Sequence, residues 1–428
     1  SAQVSPLQVD TLKETKIPDQ WDLQSCIDYA KEQNITIRKN RITAVSTQID
    51  VKTAKAALFP SLSFSTGHQV VNRPYQETSS RVSGSEIISS NSKTSYNGNY
   101  GLNASWTLYN GNKRLKTIQQ EKLNNQMAEL DVATSENNIQ ESIAQVYIQI
   151  LYAAESVKVN ENTLQVSIAQ RDRGQELLNA GSIAKSDLAQ LEAQVSTDRY
   201  QLVTAQATLE DYKLQLKQLL ELDGENEMNI YLPALSDENV LAPLPTKRDV
   251  YISALSLRPE IEASKLNVEA SELGINIAKS SYFPTISLSA GIETNHTSGS
   301  DFTFGEQVKN GWNNSIGLSV SVPIFNNRQT KSAVQKAKLQ YETSMLSLLD
   351  EQKALYKTIE SLWLDANSAQ QRYAAANEKL KSTQISYELI SEQFNLGMKN
   401  TVELLTEKNN LLQAQQEQLQ AKYMAILN

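Results

Sequence analysis

The sequence predicts a mainly α-helical chain with transmembrane β-strands, built from one structural unit used twice. Three observations carry this. Residues 54–67 read AKAALFPSLSFSTG and residues 278–291 read AKSSYFPTISLSAG, with seven of 14 positions identical, so the chain repeats itself. Four segments alternate apolar and small polar residues with period two, as half-buried strands do. The long segments that follow lack Pro and carry apolar residues at coiled-coil spacing.

The register of the repeat constrains length. GLNASWTLYNG at 101–111 matches GLSVSVPIFNN at 317–327, and NAGSIAKSDL at 179–188 matches NLGMKNTVEL at 395–404. Both pairs are offset by 216 residues, so Gly101–Gly181 maps onto Gly317–Gly397 without net insertion. The first block is offset by 224. The extra eight residues of copy one fall in NRPYQETSSRVSGSEIISSNSKTSYNGN, 72–99, whose Ser, Asn and Gly read as a surface loop.

In chain order, a helix is predicted over roughly 22–57, ending before Pro60, because the residue before Pro disfavours the helical region. Strands follow at about 58–72 and 96–109. A Pro-free segment from Asn112 to Ala180, with Gly174 as its only Gly, predicts a helix ~100 Å long at 1.5 Å per residue. Its stripe is Ile139, Ile143, Val146, Ile150, Ala153 and Val157. Gly181 supplies the turn of a helical hairpin, and the return helix carries Leu188, Val195, Leu202, Leu209 and Leu216. Residues 1–222 form the first repeat. A linker over 223–247, with Pro233, Pro243 and Pro245, contains a short packed piece at Ile230–Leu232. The second repeat, 248–428, has a helix near 249–281 ending before Pro284, and strands at about 283–296 and 312–325. A second long helical hairpin turns at Gly397, with a seam of Leu405, Leu412, Leu419 and Ile426.

The strand faces point to a membrane. Tyr96, Gly98, Tyr100, Leu102, Ala104, Trp106 and Leu108 oppose Asn97, Asn99, Gly101, Asn103, Ser105, Thr107 and Tyr109. Trp312, Ile316, Leu318, Val320, Val322 and Ile324 oppose Asn313, Ser315, Gly317, Ser319 and Ser321. The strands are long enough to cross a bilayer when tilted. Aromatics (Tyr96, Tyr100, Trp106, Tyr109, Trp312, Phe325) sit near their ends. The polar faces are small and uncharged, as suits a water-filled interior. Four strands cannot close in lipid without exposing unpaired backbone groups. Several chains must share one barrel, and three give ~12 strands, within the known range. The long helices would continue that cylinder into a soluble compartment.

Composition narrows the function. The 428 residues carry a net charge of −8 with pI about 5.2, which argues against nucleic acid as a partner. Cys26 is the single Cys and reads as a small buried thiol. Two His argue against a His-based metal or catalytic site. No P-loop, dinucleotide fingerprint, ligand cluster or nucleophile motif occurs, so no catalytic residue, cofactor or metal is expected and the chain reads as a non-enzyme. The chain begins at Ser1 rather than Met, consistent with a removed or trimmed signal segment. A coiled-coil structural or adhesive protein would explain the heptads but not the four alternating strands.

The chain resembles the TolC-like outer membrane efflux proteins over nearly its whole length. The resemblance rests on the duplicated A-K-x-x-x-F-P-x-x-S-x-S-x-G and G-L-x-x-S-x-x-[LI]-[YF]-N motifs, and on Gly-containing turns followed by Asp187-Leu188 and Glu403-Leu404. It implies a homotrimer with a 12-stranded barrel in outer-membrane lipid of a Gram-negative bacterium, and a long α-helical coiled-coil barrel in the periplasm. It implies passive export of small molecules driven by an inner-membrane pump, RND or ABC type, through a periplasmic adaptor (membrane fusion) protein. Service as the outer duct of a type I protein secretion system is the alternative. By the same resemblance Asp187, Phe394, Lys399, Glu403 and Glu407 would lie at the periplasmic aperture. Phe394 stands where the family has a Tyr that bonds the acidic group matched by Asp187, and Thr406 replaces a second acidic ring residue. Gly181, Ser182, Gly397 and Met398 are the candidate adaptor-docking turns.

Overall fold

The computed structural model describes residues 16–77, 79–83, 85–90, 93–234 and 240–428. Residues 1–15, and 235–239 of the linker, lie outside the described residues. Two compact units emerge. One comprises residues 1–42, 130–261 and 350–428; the other comprises 43–129 and 262–349.

The second unit holds a four-stranded antiparallel sheet, β1 (Ser61–Asn72), β4 (Thr94–Asn110), β5 (Thr285–Thr297) and β6 (Asn313–Ser321), in the order β1-β4-β5-β6. Register sorts the side chains. Leu62, Ala104, Ala290 and Ile316 lie in one cross-strand row, and Phe64, Leu102, Ile292 and Asn314 in the next row on that face. Between them fall the polar rows Ser61–Ser105–Ser289–Gly317, Ser63–Asn103–Gly291–Ser315 and Ser65–Gly101–Glu293–Asn313. One face is therefore mainly apolar and the other small and polar, and the expectation that the polar face is uncharged fails at Glu293. The apolar side chains stay exposed, Leu62 by 70%, Phe64 by 65% and Ile316 by 78%, though burial of each is worth about 1.5–3 kcal/mol. Among the described residues β1 pairs only with β4 and β6 only with β5, leaving two open edges.

Four local expectations change. The Ser/Asn-rich loop holds a short hairpin, β2 (Ser79–Ser83) with β3 (Glu86–Ser90). The fourth strand stops at Ser321 rather than near 325, because its partner β5 begins at Thr285, opposite Ser321, and Pro323 offers no N–H to extend the ladder. Tyr109 was assigned to the polar face, but a bulge between Thr107 and Tyr109 pairs it with Ile286 on the apolar side. The helices before β1 and β5 are each broken. α1 (Leu23–Gln33) and α2 (Ile35–Ala56) part at Asn34, whose Oδ1 accepts from the Thr36 and Ile37 amides at 3.0 and 3.3 Å.

Strand-to-helix junctions explain the repeated N-G and N-N pairs. β4 runs into α3 (Lys113–Asn179) through Gly111 and Asn112, with φ of 71° and 63°. Their equivalents Asn327 and Arg328, before α8 (Gln329–Asn395), have φ of 57° and 67°. The carbonyls left free where α2 ends are bonded by Trp106 Nε1 to Leu58 O at 2.8 Å and Arg114 Nη1 to Ala57 O at 3.2 Å.

α3 and α8 each count 67 residues, begin in the second unit and continue into the first; their return helices, α4 (Lys185–Leu219) and α9 (Thr401–Leu427), lie in the first. Between the two hairpins in sequence stand α5 (Lys247–Leu257) and α6 (Pro259–Lys279); in the second unit a short α7 (Phe304–Asn310) follows β5. Trp21, Cys26, Ile27, Ala30, Ile143, Ile150, Leu216 and Leu220 form the main core, and burial pushes the Cys26 thiol up to about 12. Ile230 bridges Trp21 in parallel, with Tyr231 N donating to Trp21 O at 2.7 Å. Pro245 O accepts from Trp363 Nε1 at 2.9 Å. The residues buried in α9 are Thr401, Leu404, Lys408, Leu411, Ala414, Leu419 and Tyr423, so of the predicted seam Leu419 is buried while Leu405, Leu412 and Ile426 are half-buried.

A Cβ at Gly111 would sit 2.7 Å from the Ser280 carbonyl oxygen. Gly111→Val is expected to cost at least about 2 kcal/mol, from left-handed strain plus that clash, while Asn327→Gly should be neutral or mildly stabilising. Thermal unfolding of the two variants side by side checks the contrast; equal losses would refute it.

Candidate functional site

The two hairpin turns have the same backbone construction. Gly181 and Gly397 take φ of 74° and 76°, where L side chains are strained. Gly181 N donates to Leu178 O at 2.9 Å and Ser182 N to Leu177 O at 2.8 Å. Gly397 N donates to Phe394 O at 2.9 Å and Met398 N to Gln393 O at 2.8 Å. This paired closure satisfies helix-end carbonyls and lets the chain reverse. A Cβ at either Gly would meet nothing within 4 Å, so backbone conformation alone demands glycine. Leu396 and Met398 are each 70% exposed.

Beyond each turn the next helix is capped by an acidic residue. Glu403 Oε2 accepts from the Asn400 amide at 3.1 Å, and Asn400 Oδ1 accepts from the Glu403 amide at 2.8 Å, a reciprocal capping box. Asp187 Oδ2 accepts from the Ala184 amide at 3.0 Å; Ala184 has no side chain to reciprocate. The Asn400 amide, aided by Lys399 3.4 Å away, holds the Glu403 carboxyl below its ordinary range. Glu407 accepts from Ser386 Oγ at 3.1 Å across the second hairpin. Phe394 is buried in the last turn of α8. Asp187 thus sits at the start of one return helix and Lys399 and Glu403 at the start of the other, Asp187 and Lys399 half-buried and Glu403 exposed; Glu407 is tied to its own hairpin, and Phe394 is buried.

A polar cluster close by went unnoticed in the sequence. Lys408 Nζ donates to Asp198 Oδ2 and Ser167 Oγ, and Ser167 Oγ donates to the same carboxylate. Gln194 Nε2 donates to Asp198 Oδ1 at 2.9 Å. The Lys408 and Asp198 side chains are 4% and 2% exposed. Burial pushes the Lys408 ammonium down, and Asp198 opposes that shift. This network joins α3, α4 and α9. The signal was available: Lys408 stands in the stripe Leu404–Lys408–Leu411, and Asp198 follows Leu188, Leu191 and Val195, so each charge occupies a seam position.

Removing one partner, by Lys408→Met or Asp198→Asn, is expected to destabilise the chain by about 3–5 kcal/mol, because the other buried group is left uncompensated. Lys408→Met with Asp198→Leu should recover most of that. Denaturant unfolding followed by far-UV circular dichroism measures the cycle; additive losses would show that the pair does not act as a unit.

Comparison with known proteins follows the same architecture. The sequence profile of the outer membrane efflux protein family matches residues 26–221 and 250–426. The outer membrane efflux protein BepC of Brucella suis is 24% identical over 294 residues, 68% of this chain and 61% of BepC. The outer membrane protein TolC of Escherichia coli K12 is 24% identical over 294 residues, 67% of this chain and 58% of TolC. The match thus spans less than two thirds of either relative. A crystal structure of CusC superposes with a TM-score of 0.79 at 18% identity, covering 96% of this chain and 93% of CusC. VceC from Vibrio cholerae gives 0.77 at 15% identity, covering 94% and 93%. At those identities the superpositions establish the fold, and the profile match over both repeats establishes kinship: the chain belongs to the outer membrane efflux protein family.

Proposed function

We propose that the chain is the outer-membrane channel of a tripartite efflux system. Three copies form a passive exit duct for small molecules, fed by an inner-membrane pump through a periplasmic adaptor. The open sheet carries this reading. Its apolar face is exposed, its opposite face is small and polar, and both edges lack partners among the described residues. Those features are compatible only once lipid covers one face, water the other, and neighbouring chains the edges. No described helix is long and apolar enough to cross a membrane, so the strands are the candidate spanning element. Relatives bear names as different as toxin and drug export, pyoverdine export and cation efflux. That spread supports a shared duct whose cargo is chosen by the pump.

In this reading Gly181, Ser182, Gly397 and Met398 meet the adaptor, supported by the exposed Leu396 and Met398 beside a rigid turn. Three copies of Glu403 would form an electronegative aperture. Capping does not preclude this, since 45% of the Glu403 side chain is exposed.

The protein is expected to extract only in detergent, as a heat-sensitive trimer that conducts ions in planar bilayers. A soluble monomer obtained without detergent would refute the channel. Gly181→Arg and Gly397→Arg should abolish drug efflux in cells while trimers persist in the outer membrane. Gly181→Asn and Gly397→Asn, which tolerate positive φ, should retain it; normal efflux in the Arg variants would rule out docking at the turns.

A further inference from the structure

The four strands of the sheet contain a single Asp, Glu, Lys or Arg, which is Glu293. It lies within β5, in the polar row Ser65–Gly101–Glu293–Asn313. Rows on either side carry Ser, Asn and Gly alone: Ser63–Asn103–Gly291–Ser315 on one side, Asn99 and Asn295 with Gly67 on the other. Gly101 beside it has no side chain, and a Cβ built there would lie 3.8 Å from Glu293 Cγ. Both histidines of the chain fall on the other face, where His68 and His296 sit in an aromatic cluster with Tyr96, Tyr100 and Phe304. Glu293 is exposed, and among the described residues no Lys, Arg or His pairs with it.

An unpaired carboxylate on an otherwise uncharged wall has a physical consequence. Placed in water it costs nothing, so stability does not require a partner. Placed in a narrow aqueous passage with low-dielectric walls, its field is focused along the passage rather than dispersed. Nothing else on these strands offsets or duplicates it.

Resting on the channel reading above, we propose that Glu293 sets the charge preference of the membrane-spanning passage. One copy per chain makes a ring of three carboxylates within the barrel, separate from the helix-start acids at the hairpin turns. The ring favours cations and holds back anionic solutes. It is an electrostatic filter distinct from the one proposed at Glu403.

Reversal potentials of the purified trimer in a potassium chloride gradient test this. Glu293→Gln keeps the shape and removes the charge. It is expected to lower the potassium-to-chloride permeability ratio about threefold at 0.1 M salt, where the screening length is ~10 Å, with little effect at 1 M salt, where it is ~3 Å. Glu293→Lys should move the preference towards chloride, and Glu403→Gln should leave the response to Glu293 substitution intact. Heat-sensitive trimer bands verify that each variant assembles. Wild-type protein that forms no channel overturns both the channel reading and this proposal. Wild-type channels whose selectivity ignores Glu293→Gln at 0.1 M salt overturn the proposal alone.

Discussion

Backbone N–H and C=O groups must be paired or wetted, and among the described residues β1 and β6 leave two rows of them without strand partners along the sheet. In water such edges template aggregation; in lipid each open group costs several kcal/mol. A four-stranded sheet with an exposed apolar face is therefore a fragment of something closed. The proposed sharing of one barrel between chains, with lipid on the apolar face and small polar residues lining the interior, answers that shortage of partners. Function as a duct is what a closed ring with a polar lining permits.

Duplication answers the same shortage within the chain. Two hairpin-like strand pairs meet at β4 and β5, one from each copy, with Leu102 opposite Ile292 and Trp106 opposite Leu288. Each copy then passes through a pair of left-handed residues into a 67-residue helix. Such a junction tolerates little variation, because an added residue would rotate the whole helix by about 100° and move its apolar stripe off its neighbours. The constant 216-residue offset between the copies reflects that coupling of turn, helix phase and hairpin end.

Charge is used sparingly and in different ways. Asp187 and Glu403 offset the unsatisfied amides of helix starts, where negative charge is favoured by the helix dipole. Lys408 and Asp198 are buried, so their attraction is set against the cost of taking both charges out of water. The resemblance to the efflux family, carried in part by the glycine turns, singled out the helix-start acids. Sequence reasoning missed Lys408 and Asp198 because charged residues on long helices are taken as solvated by default. A polar residue inside an apolar stripe is the stronger clue.

Sequence alone determined the repeat, the alternation of four strands, the long helices and the glycine turns. Each depends on local periodicity or on a single backbone conformation, and those are written in neighbouring residues. Tertiary structure decided the rest. It placed Glu293 alone among Ser, Asn and Gly by setting cross-strand register, moved Tyr109 to the apolar face through a bulge, and brought Lys408 to Asp198 from 210 residues away. Register and long-range contact are set by how elements meet, and one-dimensional patterns carry no record of which strand or helix lies opposite.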